Sequence, residues 1–225
     1  MGYVSVGDRL KQKQREQARQ ENDWQAMQVD VCKPTLLKLE QYQAALSVDI
    51  GRLSTIKIME DKQAAKKTMM DVYAPFVWDY VAQGHNYPND VAVQYMIWLF
   101  DVSVTQEEMT AALNLALYLM PHQQMPDKFT RRDIQTFVCD AVYDWAKTQL
   151  DNDVTALPLL DDVVVRLDGW RLSPPVQSKV LVIAAKHHNK AENFKTVVEY
   201  CEKAKQVNPE GWGAKTLLAT AKQRL

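Results

Sequence analysis

The chain has 225 residues, 27 Lys and Arg against 28 Asp and Glu, and 47% hydrophobic residues. That composition describes an ordinary globular protein with material for a real core, and it excludes a disordered or collagen-like chain. No apolar run reaches about 18 residues, so no membrane span is expected, and the N-terminus carries no signal-peptide pattern. Three scattered cysteines, Cys32, Cys139 and Cys201, make neither a CxxC metal motif nor a disulfide framework and fit a reducing, cytosolic setting.

The near-zero net charge conceals a sorted distribution. Residues 1–67 hold 12 Lys and Arg against 9 acids, 68–127 hold no cation and 7 acids, and 128–225 hold 15 against 12. Phosphate contacts must therefore come from the ends of the chain.

Few glycines and many Ala, Leu, Gln and Lys predict an all-α fold. The expected organisation is a basic N-terminal arm over 1–33, a helical hairpin or short coiled coil over 34–88, and a helical core over 89–225. The arm carries Arg9, Lys11, Lys13, Arg15 and Arg19. It is polar all round, so it is either a solvated arm or a segment that orders on DNA. After Pro34, Leu39, Leu46 and Leu53 recur every seven residues, with Tyr42 and Ile56 between them. Asp49 and Gly51 weaken a long coiled coil. A second basic cluster follows at Lys57, Lys62, Lys66 and Lys67, with Lys62 and Lys66 on one helical face. Pro75 is expected to interrupt the next helix. Tyr73, Phe76, Trp78 and Tyr80 are expected to anchor the hairpin to the core rather than to stack on bases.

Asp90 is the expected cap of a central helix, apolar nearly all round, that runs to Asp101. Thr105 and Glu108 form a capping box that opens an Ala/Leu-rich helix ending before Pro121. In 130–146, Ile134, Phe137, Val138, Ala141, Val142 and Trp145 repeat at helical spacing. A short helix follows within 155–167. Ser173-Pro174-Pro175 then opens a helix pair in which Ala185, Ala204 and Pro209 sit at tetratricopeptide-like separations.

Asp133, Asp140 and Asp144 return to one side of their helix. Asp140 and Asp144 are the candidate pair for a nuclease Mg²⁺; the alternative is a solvated acidic face. His187 and His188 diverge on a helix and cannot chelate together, and no glycine-rich phosphate loop is present. The residues themselves indicate no cofactor; Mg²⁺ enters only if the nuclease reading holds.

The stretch Asp90 through Trp98 and Asp101, then Ala112 to Tyr118, Met125-Pro-Asp-Lys-Phe129 with Arg131 or Arg132, Phe137-Val138 with Asp140, and Trp145-Ala146 resembles the small terminase subunit, or terminase endonuclease subunit, of cohesive-end tailed phages. Leu39, Leu46, Leu53, Ile56, Lys62, Lys66 and Pro75 are similar in order to that family's N-terminal half, so the resemblance covers about residues 34–225. Some relatives carry a long basic tail after the last helix pair, which this sequence lacks. The resemblance implies a subunit that recognises the packaging site on double-stranded phage DNA, forms a homo-oligomer and passes DNA to a large subunit with the motor ATPase. It also implies action in the bacterial cytoplasm, away from membranes. A metal-dependent endonuclease and a helical module for protein interaction are the alternatives.

Overall fold

The computed structural model describes residues 37–129 and 132–225, and among these it is all-helical, with no strand. The arm cations Arg9, Lys11, Lys13, Arg15 and Arg19 lie outside the described residues, as do Cys32 and Arg131. The chain divides into two units, 1–51 and 52–225. The described part of the first belongs to helix α1, which spans 37–55. Leu39, Leu46 and Leu53, the heptad leucines, are all buried.

The second unit is a succession of packed helices: α2 (Met59–Ala82), α3 (Asp90–Val102), α4 (Gln106–Leu119), α5 (Ile134–Asp151), α6 (Leu159–Arg166), α7 (Pro174–Lys190), α8 (Phe194–Val207) and α9 (Lys215–Gln223). Two 3-10 turns, Asp127–Phe129 and Leu167–Gly169, complete it. Helix α3 is central because it has hardly any polar side: every residue from Val91 to Trp98 is buried. It packs against α2, α4 and α5. Its cap is Asn89 rather than Asp90. The Asn89 carboxamide oxygen accepts from the Ala92 amide at 3.0 Å, and Asp90 stands exposed in the first turn. Asn89 sits one residue before the helical backbone, where a short side chain reaches the third amide.

Helix α2 runs through Pro75 instead of breaking there. The proline ring removes one backbone hydrogen bond. Tyr73, Phe76, Val77 and Tyr80 on either side of it are buried, which holds the helix together across the gap, and Pro75 faces outward. Tyr73 meets Trp98 edge-on at 5.9 Å. Tyr80 donates to the Tyr87 carbonyl at 2.8 Å and accepts from the Gln123 amide at 3.1 Å. These aromatics anchor α2 to the core, while Trp78 keeps 39% of its surface exposed.

The Thr105–Glu108 capping box is complete: the Thr105 hydroxyl accepts from the Glu108 amide, and the Glu108 carboxylate accepts from the Val104 and Thr105 amides. Helix α5 presents Ile134, Phe137, Val138, Val142 and Trp145 to the interior, and the Trp145 indole donates to the Val104 carbonyl at 3.0 Å. Helices α7 and α8 pair closely, burying Ala185 and Ala204. That pairing is observed; the tetratricopeptide register is an expectation from residue spacing alone.

Candidate nucleic-acid interface

A phosphate-binding surface needs cations that water can reach and that no carboxylate already holds. The basic cluster at the start of α2 splits on this criterion. Lys57 and Lys67 are exposed and Lys62 is half-buried. Lys66 departs from the expected set: its side chain is only 11% exposed, and its ammonium bonds Asp101 of α3 at 2.7 Å. The face that carries Lys66 is the one on which α2 packs against α3, so this lysine joins the two helices and is not free to meet a phosphate.

A second set of cations lies between α4 and α5. Lys128 donates to Gln94 Oε1 at 3.0 Å and lies 5.4 Å from the Phe129 ring centre. Burial pushes its ammonium pKa below the ordinary lysine value. Arg132 reaches Asp140 at 3.4 Å.

The acidic face of α5 is divided among different tasks. Asp133 is the helix N-cap and accepts from the Thr136 amide at 2.7 Å. Asp140 is held by two cations, Lys179 of α7 and Arg132. Asp144 is exposed at the edge of a cleft of about 500 Å³ that Asp140, Phe100, Val104 and Trp145 also line. A carboxylate already compensated by a lysine and an arginine is a poor ligand for Mg²⁺, which needs anionic oxygens in octahedral array. Among the described residues, no group of three or more His, Cys, Asp or Glu side chains has the arrangement to hold a metal ion.

The four histidines serve packing and hydrogen bonding. His187 Nδ1 accepts from the Ala156 amide at 3.2 Å, and its Nε2 lies 2.9 Å from the Ala146 carbonyl, so the Nε2–H tautomer satisfies both partners. His188 Nε2 lies 2.8 Å from Asp161 Oδ1, which also accepts from the Tyr200 hydroxyl at 2.8 Å. His85 and His122 both pack beside the Tyr80 ring. The thiols of Cys139 and Cys201 are buried, and burial pushes their pKa values up to about 12 and about 11. Neither is a nucleophile at neutral pH. Sequence reasoning missed Asp101 as the partner of Lys66, Lys179 as the partner of Asp140, and the Asp161–His188–Tyr200 group. Each joins residues 27 to 39 positions apart, and no local periodicity signals such pairs.

Among the described residues no helix is long and apolar enough to cross a membrane. No solved structure matches the chain. The chain is 23% identical over 198 residues to a protein of Haemophilus phage HP1 named "Probable terminase, endonuclease subunit", across 81% of this chain and 69% of that protein. The family model described as phage small terminase subunit matches residues 43–173, more than half of the chain and the whole stretch from the second half of α1 to the start of α7. The chain belongs to the phage small terminase subunit family.

Proposed function

We infer that this protein is the DNA-recognition subunit of a phage packaging complex in the bacterial cytoplasm. In this reading it binds double-stranded DNA, assembles as a homo-oligomer and presents the DNA to a large subunit that carries the motor ATPase. Family membership supports the terminase role. The observation that carries the DNA contact is the state of the α2 cluster: Lys57, Lys62 and Lys67 retain solvent access while Lys66 is used up by Asp101. The arm cations Arg9, Lys11, Lys13, Arg15 and Arg19 would supply further phosphate contacts. DNA affinity of this kind comes from neutralising phosphates and releasing counterions.

In the same reading the chain does not cut DNA. The relative from Haemophilus phage is named as an endonuclease subunit, but here Asp140 is compensated by Lys179 and Arg132, leaving Asp144 without an anionic partner for a metal. Purified chain should leave DNA intact in the presence of Mg²⁺, and cleavage abolished by Asp140→Asn or Asp144→Asn would overturn this.

The DNA reading is tested by a salt titration of duplex binding. A chain truncated before Asn22 and a Lys57→Ala/Lys62→Ala/Lys67→Ala variant should each bind more weakly. For every phosphate that a variant no longer neutralises, the slope of log K against log salt should become shallower by about 0.9. Unchanged affinity and slope in both would move the DNA surface to the loop of Lys128, Arg131 and Arg132.

A further inference from the structure

Two surfaces of the second unit are opposite in shape and in charge. The first is a ridge on α2. Val72, Pro75 and Trp78 follow one another at intervals of three, so they form one oblique row on the helix surface. All three are apolar and exposed, Val72 by 57%. Asp71 and Asp79 flank the row, are exposed and hold no ion pair among the described residues. From Thr68 to its end at Ala82, α2 carries no cation. Pro75 has no N–H, so the Asp71 carbonyl one turn before it has no helical donor and adds a further acceptor to the ridge.

The second is the α8–α9 corner. There Lys205 of α8 and Lys215 and Lys222 of α9 surround a cleft of about 510 Å³. The rest of its lining is apolar, with Pro209 and Ala219 exposed beside the buried Leu218, and no acid lines it. Lys222 is bonded to Glu202 at 2.6 Å, whereas Lys205 and Lys215 are exposed and have no ion-pair partner among the described residues. The helices pack in series, α2 on α3, α3 on α5, α5 on α7, α7 on α8 and α8 on α9. Ridge and cleft thus belong to the first and last helices of that series.

We propose that the α2 ridge of one copy docks into the α8–α9 cleft of the next, so that copies join head to tail. The occupant is a second copy because the two surfaces complement each other. An apolar crest flanked by two unpaired carboxylates meets an apolar floor rimmed by two unpaired ammoniums. A row of side chains spaced by three fits a groove between helices. Docking removes the crest from water and brings Asp71 and Asp79 toward Lys205 and Lys215. Charge pairs of this kind fix register and reject wrong partners more than they add affinity. DNA is excluded from the ridge, whose charge has the sign of its own phosphates. A contact between unlike surfaces is heterologous, so each pair of copies leaves one ridge and one cleft open. The contact then repeats until it closes as a ring or runs on as a filament. The proposal rests on the homo-oligomer of the proposed function and names the two surfaces that hold it together.

The test uses the full chain in two charge-reversed forms, Asp71→Lys/Asp79→Lys on the ridge and Lys205→Glu/Lys215→Glu at the cleft. Mass is read by light scattering over a dilution series, and circular dichroism confirms that both forms keep their helix content. Val72→Ser, which alters one exposed side chain, serves as a milder ridge variant. Wild type is expected to assemble. Each reversed form alone should need at least about a tenfold higher concentration to do so, and Val72→Ser should need a smaller increase. An equimolar mixture of the two reversed forms should regain assembly. In it the reversed ridge meets the reversed cleft, and the untouched ridge meets the untouched cleft. Reversed forms that assemble like wild type, or a mixture that gains nothing over its components, overturn the proposal and leave an oligomer held by other surfaces. A wild type that scatters as one chain at every concentration overturns the homo-oligomer reading, and the proposal falls with it.

Discussion

His187 has no room for a second proton. Its two ring nitrogens face an amide donor, Ala156 N, and a carbonyl acceptor, Ala146 O. Protonating Nδ1 would set one N–H against another. Burial is the largest cause that lowers its pKa from 6.5, and the charges of Lys190 and His188 add to it, against the Ala146 carbonyl. Because the folded value lies below the unfolded one, the unfolded chain takes up the proton first. Stability is thus fully present above the unfolded value and is lost as pH falls from about 6.5 through the folded pKa. Urea midpoints should therefore decline across that window. His187→Leu should flatten the decline and cost roughly 1–3 kcal/mol at pH above the window, because the buried Ala156 amide loses its acceptor. A wild-type midpoint independent of pH from about 8 to about 5 would show the ring to be solvated. Lys66 offers a second residue-scale separation. Lys66→Met removes the bond to Asp101, whose side chain is 39% exposed and can turn to water. It should cost about 1–2 kcal/mol of stability and leave the salt slope of DNA binding unchanged, the reverse of Lys67→Ala.

At the scale of elements, what is local in sequence is legible and what is distant is not. The period of 3.6 places α3, α4 and α5 within a few residues, and the Thr105–Glu108 box marks its helix start to the residue. Even so, the sequence points to Asp90 as the cap of α3, and Asn89 is the cap; both are good caps by type, and only the backbone bend at 89 chooses between them. Pro75 is a helix breaker by type, in a helix that tertiary burial keeps whole. The candidate site is less legible. Lys62 and Lys66 share a face by spacing, yet the packing of α2 on α3 places only Lys66 against an acid 35 residues away. The same kind of distant pairing compensates Asp140, whose partner Lys179 lies 39 residues away. The capping box gives a prediction at this scale: Thr105→Ala should destabilise the chain by about 1 kcal/mol in thermal unfolding. Trp145→Ala should cost roughly 3–5 kcal/mol, since it empties a buried site on α5 and removes the donor to Val104. A loss below about 1 kcal/mol would mean that α5 repacks around the gap.

For the whole molecule in the proposed DNA-binding role, the governing quantity is how many phosphates can be met at once. In that role the α2 cluster offers Lys57 and Lys67, with Lys62 in part. With no Lys or Arg at all in 68–127, helices α3 and α4 themselves offer no cation to a phosphate. A handful of phosphates at about 0.9 counterions each gives weak binding that fades steeply with salt. Copies held together repeat the same set along one duplex, and once the first copy is bound the rest bind at a high effective concentration, so avidity rises without any new contact. DNA affinity should therefore track assembly. Light scattering on a dilution series should find an oligomer at high protein concentration. Duplex affinity measured over the same series should fall where the mass falls, and the salt slope should shrink toward that of a single copy. Tight duplex binding by a species that scatters as one chain at every concentration would overturn this coupling and would require a DNA surface far larger than the α2 lysine cluster.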